Sequence, residues 1–433
     1  MEKNNFELKN VKGTFDFLPE EQVVRNQIIE TLKRNFVKYG YLPLETPILN
    51  EFDLLKYKYQ DGAEILHEIY KLTDQGKRNL GLRYDLTVPF CKVIGLNKDL
   101  QMPFRRYEIG RVFRDGPVKL GRTREFYQCD VDVVGIDGRY IEVEQMQMVL
   151  KIFAELGIDV VIKWNNRKLM VGILEMLGYD KLQFDTIISI IDRIEKISLK
   201  EIVAEFEKIG IDENGSYKIL EMFSKTLQEY KMMNTGVNIQ NFNEGLCECL
   251  EVQNLIDALG IDKKTLFSPK LARGLGIYTG TIFEFFDTQK RITSSLGGGG
   301  RYNKIITEFM DNGIDYPAVG LSFGLEPIYA IMSREKKQSF VDVLIVPMDT
   351  QVECLKFAEK LRNIGAKTIV DFSGKKVKKA FEYANKTNVK FVMVVGENEI
   401  NSGMFSIKDM TNGEQQSFKI EDILNFVKLN LNK

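Results

Sequence analysis

The chain has 433 residues, 44% hydrophobic and 28% charged, enough apolar content for two or three packed domains. Its 60 basic and 61 acidic residues give a net charge of -1, so a nucleic-acid partner has to be met by local patches rather than by a global positive field. Five cysteines, an odd count with no C-x-x-C pair, argue against a disulfide scaffold and a zinc site, and a single histidine, His67, excludes mechanisms that use two. The opening stretch, MEKNNFELKN, has no apolar core of the secretory kind. No apolar run is long enough to span a bilayer, so a cytoplasmic chain outside the membrane is expected.

In chain order, residues 21–40 place apolar side chains at helical spacing and stop at Gly40. YLPLETPILNE is extended and punctuated by proline. His67, in GAEILHEIYKLTD, reads as a helix-surface or packing residue. NLGLRYDLTVPF and RRYEIGRVFR read as strands. Asp115-Gly116-Pro117 is a turn signal between RRYEIGRVFR and TREFYQCDVDVVG, which predicts an antiparallel hairpin with a loop of several residues. About residues 165–265, TIISIIDRIEKISLKEIVAEF and YKILEMFSKTLQEY are helical and form an insertion. Strand text resumes at GIYTGTIFEFF, followed by SLGGGGRYNKIITEFM, a glycine loop feeding a helix. SREKKQ, 333–338, is a charged linker. Beyond it VDVLIVPM, a helix ending near Gly365, KTIVDF, a lysine-rich helix and VKFVMVVG alternate, which predicts a separate compact α/β domain with a largely parallel sheet.

Side chains alternate along TREFYQCDVDVVG, so Arg124, Phe126, Gln128, Asp130 and Asp132 share one face. Such a face is an ordinary solvated one on a half-buried strand. The order of types also suits a ligand: an arginine for phosphate, an aromatic for a flat base, and an amide and acids for an ammonium group. GGGG, 297–300, is neither G-x-G-x-x-G nor a P-loop; it reads as a flexible joint or as backbone brought close to a ligand at a helix start. Arg273 in LARGLGIYTG is a surface ion-pair partner or a ligand group. Lys375, Lys376, Lys378 and Lys379 make a solvated helix start or a patch for a phosphate backbone.

Together these segments resemble the class II aminoacyl-tRNA synthetases and, among them, the histidyl-tRNA synthetase family. KGTFDFLPEE, LRYDLTVPF, FRDGPVKLGRTREFYQCDVDVVG, LARGLGIYTGTIFE and GGGGRYNKII fall in that family's order over nearly the whole chain. The residues from VDVLIVPM to SIKDM resemble its anticodon-binding domain. The resemblance implies an α+β catalytic domain over residues 1–332, with an antiparallel sheet of six or more strands flanked by helices, and an α/β anticodon-binding domain over residues 339–433. It implies that histidine is activated with ATP and Mg²⁺ and transferred to tRNA(His), releasing AMP and pyrophosphate, with no protein side chain assigned to a metal. Arg114 and Arg273 then flank the α-phosphate. Arg122 and Arg124 lie along the ATP phosphates, and Phe126 stacks on adenine. Asp85, Thr87 and Gln128 take the α-ammonium group, while Asp132, Tyr278 and Tyr302 line the imidazole pocket. ETPILNE corresponds to the motif that builds a homodimer interface.

Two places depart from the family pattern. Gly-Leu-Glu-Arg is Gly324-Leu325-Glu326-Pro327 here, and Arg-Gly-Leu-Asp-Tyr-Tyr is Arg273-Gly274-Leu275-Gly276-Ile277-Tyr278. Both losses leave open a second reading: the histidine-binding regulatory paralogue of ATP phosphoribosyltransferase, which does not charge tRNA. The anticodon-like domain and both phosphate arginines weigh toward the ligase.

Overall fold

A computed structural model of the chain describes residues 7–57, 64–118, 123–194, 197–234, 236–273, 277–333 and 340–431. It divides into two compact units, Met1–Met332 and Ser333–Lys433. Among the described residues no helix is long and apolar enough to cross a membrane.

The first helix, Pro19–Lys38, opens with Pro19 and acidic Glu20 and Glu21, where a missing N–H and negative charge are both tolerated. Ile28, Leu32 and Phe36 recur at helical spacing and are fully buried. The helix packs on one face of an eight-stranded sheet. The strand order is Leu42–Pro43, Phe104–Phe113, Glu125–Val134, Ala318–Gly324, Gly297–Arg301, Thr281–Asp287, Val160–Asn166, Thr265–Phe267. The six inner strands are antiparallel, and only the two short edge strands pair in parallel. Cys129, Val131 and Val133 alternate onto the helix-covered face. Gln128, Asp130 and Asp132 therefore turn to the other.

The insertion begins just after Asn166, whose side chain caps helix Arg167–Met176 by accepting from the Lys168 N–H at 2.8 Å. Its helices, through Gln240–Ala258, share one core with the sheet. It thus starts at the end of a sheet strand, Val160–Asn166.

Three expectations are corrected by the structure. NLGLRYDLTVPF is a strand only over Asn79–Leu82, in a three-stranded sheet with Leu49–Glu51 and Lys71–Thr73; Thr87 then opens helix Thr87–Leu96, whose Pro89 sits in the first turn where no intrahelical bond is lost. GGGG is not a joint but the inner strand Gly297–Arg301, paired on both sides. Glycine is required there by crowding: a Cβ on Gly299 would stand 2.0 Å from the carbonyl oxygen of Gly320. In the second unit, Thr368–Val370, Val343–Pro347 and Phe391–Val395 pair in parallel, but Met404–Asp409 and Gln415–Lys419 join antiparallel, so the five-stranded sheet is mixed. The turn between those last strands places Gly413 at φ +81°, the hairpin signal that decides it.

Candidate active site

The hairpin register sets the site. Gln128, Asp130 and Asp132 stand opposite Gly110, Glu108 and Arg106 on one side, and opposite Gly324, Ser322 and Gly320 on the other. Arg106 is fully buried. Its Nη2 lies 2.7 Å from Asp132 Oδ2, and its guanidinium carbon is 4.4 Å from the Phe90 ring centroid. Tyr302 donates its hydroxyl to Asp132 Oδ1. Burial and the Asp132 charge hold that phenol well above its ordinary range. A Cβ at position 320 would come 1.9 Å from Asp132 Oδ1, so only glycine leaves the carboxylate room.

Above this floor is a cavity of about 640 Å³. It gathers eight residues singled out from the sequence: Asp85, Thr87, Arg114, Gln128, Asp132, Arg273, Tyr278 and Tyr302. They come from five separate stretches of chain. Arg114 donates its Nε–H to the Tyr84 carbonyl at 3.2 Å, and its guanidinium carbon stands 5.0 Å from the Phe126 ring centroid. Arg273 lies 3.6 Å from Glu284 Oε1 and 5.4 Å from the Tyr278 ring centroid, while its Nη1 is buried without a hydrogen-bond partner. Its acid partner is itself part of the cavity wall, not a surface group.

The structure does not bring Phe126 or Arg124 into the cavity lining. Arg124 reaches Asp115 at 3.2 Å and the Gly116 carbonyl at 3.3 Å. Arg122 and Gly274–Gly276 lie outside the described residues. Pro327 occupies the first turn of helix Leu325–Met332, half-buried and away from the cavity lining. His67 is exposed at the end of Glu64–His67 and does not line the cavity either.

Asp130, placed by alternation on the face suited to a ligand but given no role of its own, is also in the wall, and several wall residues were not singled out from the sequence at all, Ser322, Lys163 and Glu284 among them. Ser322 joins Asp130 across the strand pair. Lys163 and Glu284 face each other in register on strands more than a hundred residues apart, which no local pattern signals. Burial pushes the Asp130 carboxyl up to about 7 against the pull of the Arg106 guanidinium; the Asp132 charge adds to the rise and a hydrogen bond with Ser322 opposes it. Among the described residues no group of three or more His, Cys, Asp or Glu side chains is placed to hold a metal ion.

A polar cavity on an antiparallel sheet, with two arginines at its wall, and a separate α/β unit later in the chain make up the arrangement of an aminoacyl-tRNA synthetase. Residues 13–328 match the family model described as histidyl-tRNA synthetase, and residues 342–430 the one described as anticodon binding domain. Histidine–tRNA ligase 1 of Bacillus cereus is 44% identical over 428 residues, covering 97% of this chain and 100% of the relative. Histidine–tRNA ligase 2 of Shouchella clausii is 42% identical, covering 95% and 98%. The crystal structure of histidyl-tRNA synthetase from Nostoc superposes with a TM-score of 0.87 at 29% identity over 98% of this chain and 100% of that one. The chain belongs to the histidyl-tRNA synthetase family. A Bacillus halodurans structure described as an ATP phosphoribosyltransferase regulatory subunit/histidyl-tRNA synthetase shares the fold, with a TM-score of 0.75 at 18% identity over 90% of this chain and 99% of that one. The full-length ligase relatives and the matched anticodon domain do not favour the regulatory reading.

Proposed function

We propose that this protein activates histidine with magnesium-bound ATP and transfers it to tRNA(His), working as a homodimer in the cytoplasm. The observation that carries the reading is the cavity itself: Arg114 and Arg273 line the same ligand-sized space as Gln128, Asp130 and Asp132. Acids hold the amino acid, and arginines face the phosphate it attacks.

In the first step a carboxylate oxygen of histidine bonds to the α-phosphorus of ATP. The bond from that phosphorus to the bridging oxygen breaks, and pyrophosphate leaves with the electron pair. Arg114 and Arg273 stabilise the charge that spreads over the phosphoryl oxygens, and being held in place beforehand they need no reorganisation. Magnesium brought with the triphosphate would neutralise charge on its oxygens, and no side chain of this chain is assigned to hold it. In the second step the terminal tRNA hydroxyl attacks the adenylate carbonyl and AMP departs. The hydroxyl proton leaves with the departing phosphate, since His67 is not at the cavity. Asp132, fixed by Arg106 and Tyr302, rejects side chains without a matching donor, because its buried oxygens would be left short of one.

The dimer reading is supported by ETPILNE and its surroundings, where Leu42, Ile48 and Leu49 are apolar and exposed. Histidine-dependent exchange of pyrophosphate into ATP, followed by charging of tRNA(His), tests the function. Exchange with another amino acid, or none with histidine, would refute it.

A further inference from the structure

Five acids line the cavity, and three of them, Asp85, Asp130 and Asp132, are not equivalent. Asp132 has one oxygen held by Arg106 at 2.7 Å and accepts from Tyr302 at the other. Asp85 Oδ1 accepts from the Val88 N–H at 3.0 Å. Asp130 is only 5% exposed, yet its Oδ1 has no hydrogen-bond partner. Two residues away on the same face, Gln128 Oε1 is also buried and without a donor. Same-face neighbours on a strand are about 7 Å apart, so one compact group with several N–H donors can serve both oxygens. Buried acceptors left dry are costly, and here two of them converge on one space.

We propose that Asp130 is a further substrate-binding residue that, together with the Gln128 amide oxygen, takes the α-ammonium group of the amino-acid substrate. The assignment rests on the reading of the cavity as the histidine site. It adds a buried carboxylate to the ammonium contacts expected of Asp85, Thr87 and Gln128.

The surroundings make this contact a proton switch. Asp130 faces Arg106 and Glu108 from Phe104–Phe113, Ser322 from Ala318–Gly324, Asp132 on its own strand, and Asp85 just before helix Thr87–Leu96. Burial and the acid neighbours keep a proton on the empty carboxyl near neutrality, with Arg106 opposing. An arriving ammonium supplies the missing cation. Asp130 then ionises and its proton passes to the buffer.

Calorimetry of the full chain with histidine at pH 7, in two buffers of different ionisation enthalpy, tests this. Wild type is expected to release about half a proton more than Asp130→Asn. The Asn variant should bind histidine about tenfold or more weakly, since a charge-assisted contact is lost. Its affinity for the analogue without the amino group, imidazole propionate, should barely change. If the Asn variant fails to fold, wild type decides. Net release above the roughly quarter proton that the substrate imidazole gives at pH 7 supports the assignment, and release at or below it overturns it. Histidine binding that is intact in wild type and indifferent to the Asn substitution overturns this assignment alone. A wild type that binds no histidine overturns the proposed function with it.

Discussion

At the scale of single residues, Arg273 and Asp130 carry the sharpest consequences. Arg273 has one buried nitrogen without a partner and one acid, Glu284, beside it on the cavity wall. A charge held ready at a developing oxyanion is worth on the order of 3 kcal/mol, or about a hundredfold in rate. Arg273→Ala should therefore lower the turnover of pyrophosphate exchange about a hundredfold, with histidine binding in the absence of ATP little altered. Turnover within a few-fold of wild type would return Arg273 to the status of an ion-pair partner. Asp130 makes a different prediction, on stability. Its carboxyl is raised in the folded chain from an ordinary value near 4 to about 7. The folded state thus holds a proton that the unfolded chain has already released. That contribution is fully present below about pH 4 and is lost as pH rises to about 7, with an upper bound of about 4 kcal/mol. Between pH 4.5 and pH 8 the melting temperature of the ligand-free wild type should fall more than that of Asp130→Asn. Parallel pH profiles for the two proteins would contradict it.

Among the elements, the helix Val377–Lys386 presents a clean case. Lys375, Lys376, Lys378 and Lys379 are all exposed at its start, and Ala380 and Ala384 bury the opposite side. With no acid in the first turn to pair them, these lysines are free to meet a phosphate backbone. Each phosphate contact contributes about 0.7–0.9 to the slope of log affinity against log salt. Replacing all four by alanine should weaken tRNA binding and flatten that slope by about 3 to 4 if each meets a phosphate, while pyrophosphate exchange stays near wild type. A filter-binding titration at several salt concentrations measures it; an unchanged slope would mean the lysines are only solvated. The hairpin Phe104–Phe113 with Glu125–Val134 teaches a different point. Its register puts buried Arg106 beside Asp132, and the pairing of Glu125–Val134 with Ala318–Gly324 puts Gly320 on the other side, so the acid is oriented by its neighbours before any ligand arrives.

Taken whole, the chain is two units with separate cores. One is built on the eight-stranded sheet, the other on Val343, Ile345, Phe391 and Met393 and the helices over them. All the cavity residues belong to the first unit. A protein ending at Ser333 is expected to keep histidine-dependent pyrophosphate exchange within a few-fold of the full chain and to charge tRNA(His) poorly. Charging at the full-length rate would remove the second unit from RNA recognition.

Much of this was readable in the linear text, because it depends on short-range physics. Alternation placed Gln128, Asp130 and Asp132 on one face. Asp115-Gly116-Pro117 marked the break between the two hairpin strands, and helical spacing in residues 21–40 gave the first helix to within two residues at either end. The family likeness then named eight residues that prove to line one cavity. What the text did not yield depends on neighbours far along the chain. GGGG read as a flexible joint or as backbone close to a ligand because a glycine run is locally permissive; pairing with two distant strands makes it an inner strand, and Gly298 does line the cavity. Lys163 and Glu284 meet through sheet register, and Arg273 acquires its acid only when that sheet is assembled. The unpartnered oxygen of Asp130 is likewise a property of the packed molecule. A carboxylate on a strand face is free or engaged according to which side chains the adjacent strands deliver, and here they delivered Arg106 to Asp132 and left one oxygen of Asp130 open.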